Sequence, residues 1–176
     1  MSLNDAMLLV AELMAISART APKGGGHDCL EVKVLNENEK LSLAEAMVSY
    51  GSEIKKINFD RDAENVRKSD AILLISVDQN KPLGLNCGAC GCETCKEIEG
   101  KEGSEFFGPI CAWRLIDLGI ALGSAAKTAS MLNADNRIMY RIGVVARKIG
   151  LSKGSVVVGI PISAYSKNIY FDRQLF

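Results

Sequence analysis

Apolar positions near the start of the chain recur every three or four residues, which is the period of a helix. Residues 3–19 therefore predict a helix with one buried face. Ser2, with Asp5 three residues later, resembles a capping box and marks the helix start. Pro22 and the three glycines from Gly24 predict that the helix ends before a flexible loop. The predicted buried positions are Leu3, Met7, Val10, Ala11, Met14, Ala15 and Ala18.

Three later segments have the pattern of β-strands. Residues 29–35 alternate between apolar and charged positions, which predicts a strand covered on one face. The run Ala71–Val77 is apolar apart from Ser76 and predicts a central strand buried on both faces. Residues 156–160 predict a second central strand, which we expect to stop at Pro161.

Helices are predicted between these strands. Ser42 and Glu45 form another capping-box pattern, and apolar positions continue from there to residue 57. Residues 60–69 are polar and predict a short exposed helix. Small residues occur on several sides of residues 113–132, which predicts a long helix that is buried and closely approached by its neighbours.

The last predicted helix covers residues 137–149. Asp135 and Asn136 would cap its start, and Gly150 would close its end. Strands interleaved with helices in this way predict an α/β or α+β sandwich.

Length, composition and charge limit the class of protein. The chain has 176 residues, 48% of them hydrophobic, and fits a single domain spanning 1–176, with the cysteine-rich segment 84–113 as an insertion. Lys plus Arg and Asp plus Glu number 21 each and no basic face appears, so a nucleic-acid partner is not expected. The apolar runs are too short or too interrupted for a membrane span, and the first residues lack a signal-peptide pattern. A cytoplasmic protein is therefore predicted.

The cysteines are concentrated in one region, where four occur within nine residues and a fifth follows after a gap. The spacing C-x2-C-x4-C-x15-C supplies four thiolates, one for each iron of a [4Fe-4S] cluster. Gly88 and Gly91 have no side chain to clash with the cluster and allow backbone N–H groups to point at it. The four predicted metal ligands are Cys87, Cys90, Cys95 and Cys111.

Two alternatives use the same cysteines. A structural zinc site also takes four thiolates, although only Cys87 and Cys90 have the spacing of a zinc knuckle. The protein would then be a zinc-stabilised interaction module without catalysis. Cys92, the extra thiol, would instead serve a thiol-based redox sensor by reacting with a neighbouring cysteine.

A second candidate site is the loop between the first helix and the first strand. Its backbone amides and two cations could bind a phosphate group, whereas a solvated turn is the alternative that composition favours. The loop lacks the Gly-Lys-Ser/Thr of a Walker A motif. The candidate cofactor-binding residues here are Arg19, Thr20, Lys23 and Gly24.

The cysteine pattern resembles a small iron-sulfur module, C-G-x-C-G-x-x-x-C with a later fourth cysteine, found in electron-transport subunits and corrinoid iron-sulfur proteins. The resemblance covers roughly 85–112. It implies that four cysteines are ligands and leaves Cys92 as an additional thiol. The proline that usually follows the last cysteine of the module is absent after Cys111.

Other segments resemble the nitroreductase-like flavoproteins. These are the sequence Ala-Arg-Thr-Ala-Pro at 18–22, Asp-Leu-Gly-Ile-Ala at 117–121 and Val-Val-Gly-Ile-Pro at 157–161. The resemblance implies an FMN-binding homodimer with a mixed sheet, flanking helices and exchanged tails. The early R-R-S-x-R segment of that group is absent, and Lys23 and Gly26 stand where the group has Ser and Asn.

The whole chain is similar to an uncharacterised prokaryotic family of ferredoxin-domain-containing proteins. The segments that carry this similarity are 18–24, 86–91, 135–139, 159–161 and 167–173.

Together these observations predict an α+β protein of nitroreductase-like architecture with an inserted iron-sulfur loop. The expected function is electron transfer between a [4Fe-4S] cluster and a flavin or an external redox partner protein. A flavin-dependent oxidoreductase and a homodimer are the corresponding expectations for activity and assembly.

Overall fold

The computed structural model describes residues 2–78 and 82–172. Its main sheet has four strands in the order β1-β2-β6-β5. Strand β2 occupies a central position beside β6, as the apolar pattern predicted. A separate two-stranded sheet pairs β3 with β4. The strands are β1 (Leu30–Val34), β2 (Ala71–Val77), β3 (Lys101–Glu102), β4 (Phe107–Gly108), β5 (Asp135–Asn136) and β6 (Val156–Ser163).

Within the described ranges, five α-helices cover the two faces of the main sheet. Helices α1 and α4 pack together on one face, and α2, α3 and α5 form the layer on the other. The helices are α1 (Leu3–Thr20), α2 (Glu37–Glu53), α3 (Phe59–Lys68), α4 (Ala112–Met131) and α5 (Tyr140–Lys148).

The two faces of β2 divide the core into two apolar clusters. Leu73 and Ile75 pack towards α1 and α4, whereas Ile72 and Leu74 pack towards α2, α3 and α5. All seven residues of β2 are buried. Because successive side chains of a strand point to opposite faces, a strand between two helical layers must be apolar at nearly every position.

Helix α5 approaches β6 closely through two glycines. A Cβ atom on Gly143 would lie 1.7 Å from the carbonyl oxygen of Val157, and one on Gly159 would lie 2.1 Å from Cγ2 of Ile142. Since neither position has room for a side chain, these glycines set the distance between the helix and the sheet.

The first helix is close to its prediction. Ser2 and Asp5 form the expected capping box, and five of the predicted apolar positions are buried. The other two are Ala15, which is partly buried, and Leu3, which lies at the helix start and is 61% exposed.

Helix α2 begins earlier than predicted. Its capping box is formed by Asn36 and Glu39 rather than by Ser42 and Glu45. The additional first turn is held in place because Lys33 donates to Glu39 over 2.7 Å and the buried Lys40 donates to the carbonyl of Ser69.

Helix α3 was predicted to be exposed, but one side of it is buried. Phe59 and Val66 join the core, and the Asp62 carboxylate is buried between two guanidinium groups. Arg61 and Arg141 each contact Asp62 over 2.8 Å, so its charge is compensated.

The predicted helix 137–149 is shorter in the structure, where α5 begins at Tyr140. Asp135 and Asn136 form the edge strand β5 instead of a helix cap. The pairing with β6 satisfies their backbone groups in place of a helical turn.

Strand β6 was predicted to end at Pro161 but continues to Ser163. Pro161 lies between the β5 pairing and the isolated bridge that joins Met139 to Gly159. The ladder is interrupted there, so the missing N–H of proline removes no hydrogen bond.

The resemblance implied a mixed sheet, but every strand pairing within the described ranges is antiparallel. The chain passes through α2 and α3 between β1 and β2, and this pair of helices returns it to the sheet in the opposite direction.

The tail packs on its own chain up to Asp172. Tyr170 is buried, its hydroxyl lies 2.9 Å from that of Ser69, and its carbonyl accepts a hydrogen bond from Arg137. Arg173, the last residue of the segment 167–173 that carries the family similarity, and Phe176 lie outside the described residues. Among the helices that the structure describes, none is long and apolar enough to cross a membrane.

Candidate metal centre

The cysteine-rich segment connects β2 to α4 and forms a lobe beside the main sheet. Five cysteines, four from the loop and Cys111 from the start of α4, line one small cavity together with Asn86 and Trp113. All five are free thiols. The structure therefore brings the four predicted ligands and Cys92 to one place.

Glycines shape the loop around this cavity. Gly88 and Gly91 have φ angles of 72° and 91°, a region that residues with a side chain rarely adopt. The N–H of Gly91 donates to the carbonyl of Gly88 and closes a tight turn that includes Cys90.

Cys87 receives hydrogen bonds at its sulfur. The pKa of its thiol is lowered first by the backbone N–H of Ala89 and then by the side chain of Trp113. The Trp113 Nε1 atom lies 3.3 Å from Cys87 Sγ. N–H groups directed at a cysteine sulfur stabilise the thiolate, which is the form that binds metal.

Cys95 is held by a reciprocal pair of bonds with Asn86. The backbone N–H of Cys95 donates to Asn86 Oδ1 over 2.8 Å, and the backbone N–H of Asn86 lies 3.4 Å from Cys95 Sγ. Asn86 adopts a φ of 48°, which asparagine tolerates better than most residues. This pair fixes the start of the loop against its third cysteine.

Cys92 and Cys111 differ from the other cysteines. The Cys92 thiol points towards the carbonyl of Glu97 at 3.8 Å, and burial, followed by the neighbouring Cys90, raises its pKa. Cys111 is buried at the N-cap of α4, where its carbonyl accepts the N–H of Arg114. The rigid helix thus fixes the backbone at Cys111.

The cysteines surround the cavity without closing on an ion-sized site. Within residues 2–78 and 82–172, no group of three or more Cys, His, Asp or Glu side chains has the geometry of a bound metal ion. The geometry therefore does not decide between a zinc site and an iron-sulfur cluster, and both stay predictions.

The lobe is attached to the rest of the fold at its far end. Arg147 of α5 forms a two-pronged ion pair with Glu102 of β3, and Lys56 pairs with Glu105 over 2.7 Å. The N–H of Phe107 donates to the carbonyl of Ser155. These contacts hold the hairpin of β3 and β4 against the end of α5.

The second predicted site, the glycine-rich loop, uses its polar groups internally. The Lys23 ammonium donates to the carbonyls of Ala18, Arg19 and Ala21 and so closes the end of α1. Arg19 pairs with Asp28, and the Thr20 hydroxyl donates to the carbonyl of Ile16, one turn earlier. A phosphate here would have to replace these partners, so the assignment of Arg19, Thr20, Lys23 and Gly24 to cofactor binding stays a prediction.

A buried ion pair that sequence analysis missed connects this loop to α4. Arg114 and Asp117 are almost fully buried, with Nη1 and Oδ2 2.9 Å apart. Asp117 accepts the N–H of Gly24 over 2.8 Å and the thiol of Cys29, while Arg114 donates to the carbonyls of Gly24 and His27. Opposite charges three residues apart on the apolar face of a helix were the sequence feature that could have revealed the pair.

Fold and site together define an α+β protein of nitroreductase-like architecture with a cysteine-rich centre. A nitroreductase with bound FMN from Desulfitobacterium hafniense has a TM-score of 0.60 and 12% identity, over 90% of this chain and 78% of that chain. The FMN-dependent nitroreductase from Mycobacterium smegmatis in complex with NADPH has a TM-score of 0.61 and 11% identity, over the same shares. At this identity the similarity shows the fold, which confirms the predicted architecture.

Sequence comparison gives the family. The sequence model of a family described as "uncharacterized protein containing a ferredoxin domain" (DUF2148) matches residues 107–173, which include Cys111. An uncharacterized protein from Archaeoglobus fulgidus is 48% identical over 172 residues, covering 97% of this chain and 93% of its own. The chain belongs to this ferredoxin-domain family, as the sequence predicted, and the family description indicates a redox role.

Proposed function

We propose that the protein is an iron-sulfur electron carrier that holds a [4Fe-4S] cluster. The supporting observation is the single cavity that gathers cysteines from the loop and from α4, two segments separated along the chain. The four ligands would be Cys87, Cys90, Cys95 and Cys111.

The residues around the cavity fit such a cluster. Trp113 and the backbone of Asn86 direct N–H groups at the sulfurs of Cys87 and Cys95. Hydrogen bonds to ligand sulfurs are among the features that tune a cluster's reduction potential. Cys92 is left as the fifth thiol because it faces the carbonyl of Glu97.

A [4Fe-4S] cluster, when bound, supplies one-electron chemistry. One electron leaves a reduced donor and reaches an oxidised acceptor, and no covalent bond is formed or broken. The chain's own role is to hold the sulfurs, to direct N–H groups at them, and to expose Cys87 at the surface where a redox partner protein can approach.

A flavin is the second expected cofactor, and the polar groups of the glycine-rich loop do not fit its phosphate in this conformation. Lys23 is fully engaged with carbonyls, and the N–H of Gly24 is used by Asp117. We therefore assign no electron-transfer step to a flavin at this loop. FMN uptake is tested by measuring bound flavin after incubation with FMN and gel filtration.

The test of the cluster is an anaerobic purification with iron, sulfide, zinc and FMN quantified on one sample. We expect a brown protein with about four iron atoms per chain, broad visible absorbance and an EPR signal after reduction. Stoichiometric zinc with no iron would instead support the zinc-stabilised interaction module.

Serine substitutions assign the ligands. Changing Cys87, Cys90, Cys95 or Cys111 to Ser should lower the iron content, whereas Cys92→Ser is the matched control and should retain it. Loss of iron from the Cys92 variant, together with retention in the Cys95 variant, would refute the ligand assignment. A thiol-based sensor would lose its oxidant response in the Cys92 variant.

We also propose that the protein is a homodimer in which a second copy covers the outer face of α4. Leu115, Ile116 and Ile120 are between 41% and 48% exposed on this face. A Cβ atom on Gly119 or Gly123 would meet nothing within 4 Å, so the face is open to close approach. The helix predicted to be buried is therefore buried on one side only in the single chain, and a partner would supply the rest.

A further inference from the structure

The single tryptophan of the chain lies against the most exposed of the proposed ligands. Trp113 occupies the first turn of α4, two residues after Cys111, and its indole Nε1 donates to Cys87 Sγ over 3.3 Å. One hydrogen bond thus joins the helix that carries Cys111 to the loop that carries Cys87. The tryptophan itself is 41% exposed, so it lies at the rim of the cavity.

An N–H group that points at a ligand sulfur affects the two states of a cluster differently. Reduction adds one negative charge, part of which resides on the sulfurs, so the bond is stronger in the reduced state. Removing the donor should therefore make reduction harder and lower the reduction potential.

We propose that Trp113 is a positioning residue that sets the reduction potential of the cluster through its hydrogen bond to Cys87. The inference rests on the proposed function, because it requires that a cluster is held there. It identifies a residue outside the four ligands that adjusts which donors and acceptors the carrier can serve.

The effect should be partial, because Cys87 keeps a second donor. The backbone N–H of Ala89 also bonds to this sulfur and is unaffected by a change at position 113. The shift should therefore correspond to the loss of one hydrogen bond to a charged group rather than to the loss of a ligand.

The test is a reductive titration of Trp113→Phe followed by EPR of the reduced cluster. Phenylalanine keeps an aromatic ring at the rim but removes the N–H donor together with one ring of the indole. At the wild-type midpoint potential we expect an about tenfold lower ratio of reduced to oxidised cluster, which equals about 59 mV for a one-electron couple. Ile149→Ala is the control, because Ile149 is as exposed as Trp113, does not line the cavity and has no side-chain N–H, so the potential of this variant should match the wild type.

Two further measurements use the wild-type protein. The fluorescence of the single tryptophan should be quenched when the cluster is loaded, which reports occupancy independently of iron analysis. With ¹⁵N-labelled tryptophan, pulsed EPR of the reduced cluster should show coupling to the indole nitrogen, and this measurement decides the matter if Trp113→Phe fails to load a cluster.

An unchanged potential in a fully loaded Trp113→Phe variant would overturn the inference while leaving the proposed function intact. Absence of ¹⁵N coupling in the loaded wild type would overturn it in the same way. A wild-type protein that binds no iron would overturn both.

Discussion

Removing the positive charge of Arg114 should destabilise the protein far more than removing an exposed one. In Arg114→Met the Asp117 carboxylate would stay buried without its cation, because the two side chains are only 3% and 5% exposed. Breaking a buried ion pair from one side costs about 3–5 kcal/mol. Asp117 keeps the N–H of Gly24 and the thiol of Cys29 as donors, so we expect a loss of about 3 kcal/mol, at the lower end of that range.

The assay is urea unfolding followed by circular dichroism, with thermal unfolding as a second measure. For a chain of this length about 1 kcal/mol lowers Tm by roughly 2–4 °C, so Arg114→Met should lose about 6–12 °C. Lys68→Met is the matched control, because the ion pair of Lys68 with Glu64 is 58% and 51% exposed and should contribute less than about 1 kcal/mol.

A double variant separates the buried charge from lost packing. Arg114→Met combined with Asp117→Leu leaves no unpaired charge, so it should be more stable than Arg114→Met alone. If Arg114→Met were no more destabilising than Lys68→Met, or if the double variant were less stable than the single one, the explanation from buried charge would be wrong.

Three other predictions concern packing, assembly and pH. Gly143→Ala should lower the free energy of unfolding in urea by about 1–3 kcal/mol or more, because its Cβ would overlap the carbonyl of Val157. A variant as stable as the wild type would contradict this. Ile116→Glu should convert a dimer to a monomer by light scattering, whereas Val48→Glu on α2, an exposed apolar position in the opposite helical layer, should not; a wild type that is already monomeric would refute the proposed dimer. Burial raises the pKa of Tyr170 to about 12, from about 10 when unfolded. The unfolded tyrosine therefore loses its proton first, so stability should fall by up to about 1.4 kcal/mol per pH unit between pH 10 and 12. Tyr170→Phe should flatten this part of the curve, and an unchanged slope would refute the assignment.

Local patterns predicted the elements whose surroundings are simple. Strand β2 was recognisable because a strand buried on both faces needs an uninterrupted apolar run, and α1 because Ser2 and Asp5 form its cap in the structure as well. The cysteine cavity was also predictable in outline, because the cysteine spacing alone assigned four of its lining residues to one site.

The errors have long-range causes. Two capping-box patterns lie in the first turns of α2, Asn36 with Glu39 and Ser42 with Glu45. The first is used, and the contact of Lys40 with the carbonyl of Ser69, 29 residues away, helps to hold that first turn. Asp135 and Asn136 are good helix caps in isolation, but β6 offers them a strand partner. In both cases tertiary contacts decide between two local structures that the sequence permits.

The residues around the site were harder to predict than the cysteines. Asn86 and Trp113 have no spacing rule that marks them, and their roles depend on where the loop folds against α4. Arg114 lies 90 residues from Gly24, so only the folded chain shows that they are joined.

The way the cysteine lobe is attached bears on how the chain would behave if the proposed cluster were missing. Neither apolar core cluster contains any of the five cysteines that line the cavity, and the far end of the lobe is tied down by ion pairs such as Arg147 with Glu102. Small metal domains unfold without their metal because the metal supplies their folding energy, but here the two cores supply it. If the proposed cluster is held there, a chain without iron should therefore stay folded, and the cluster could be loaded when iron returns.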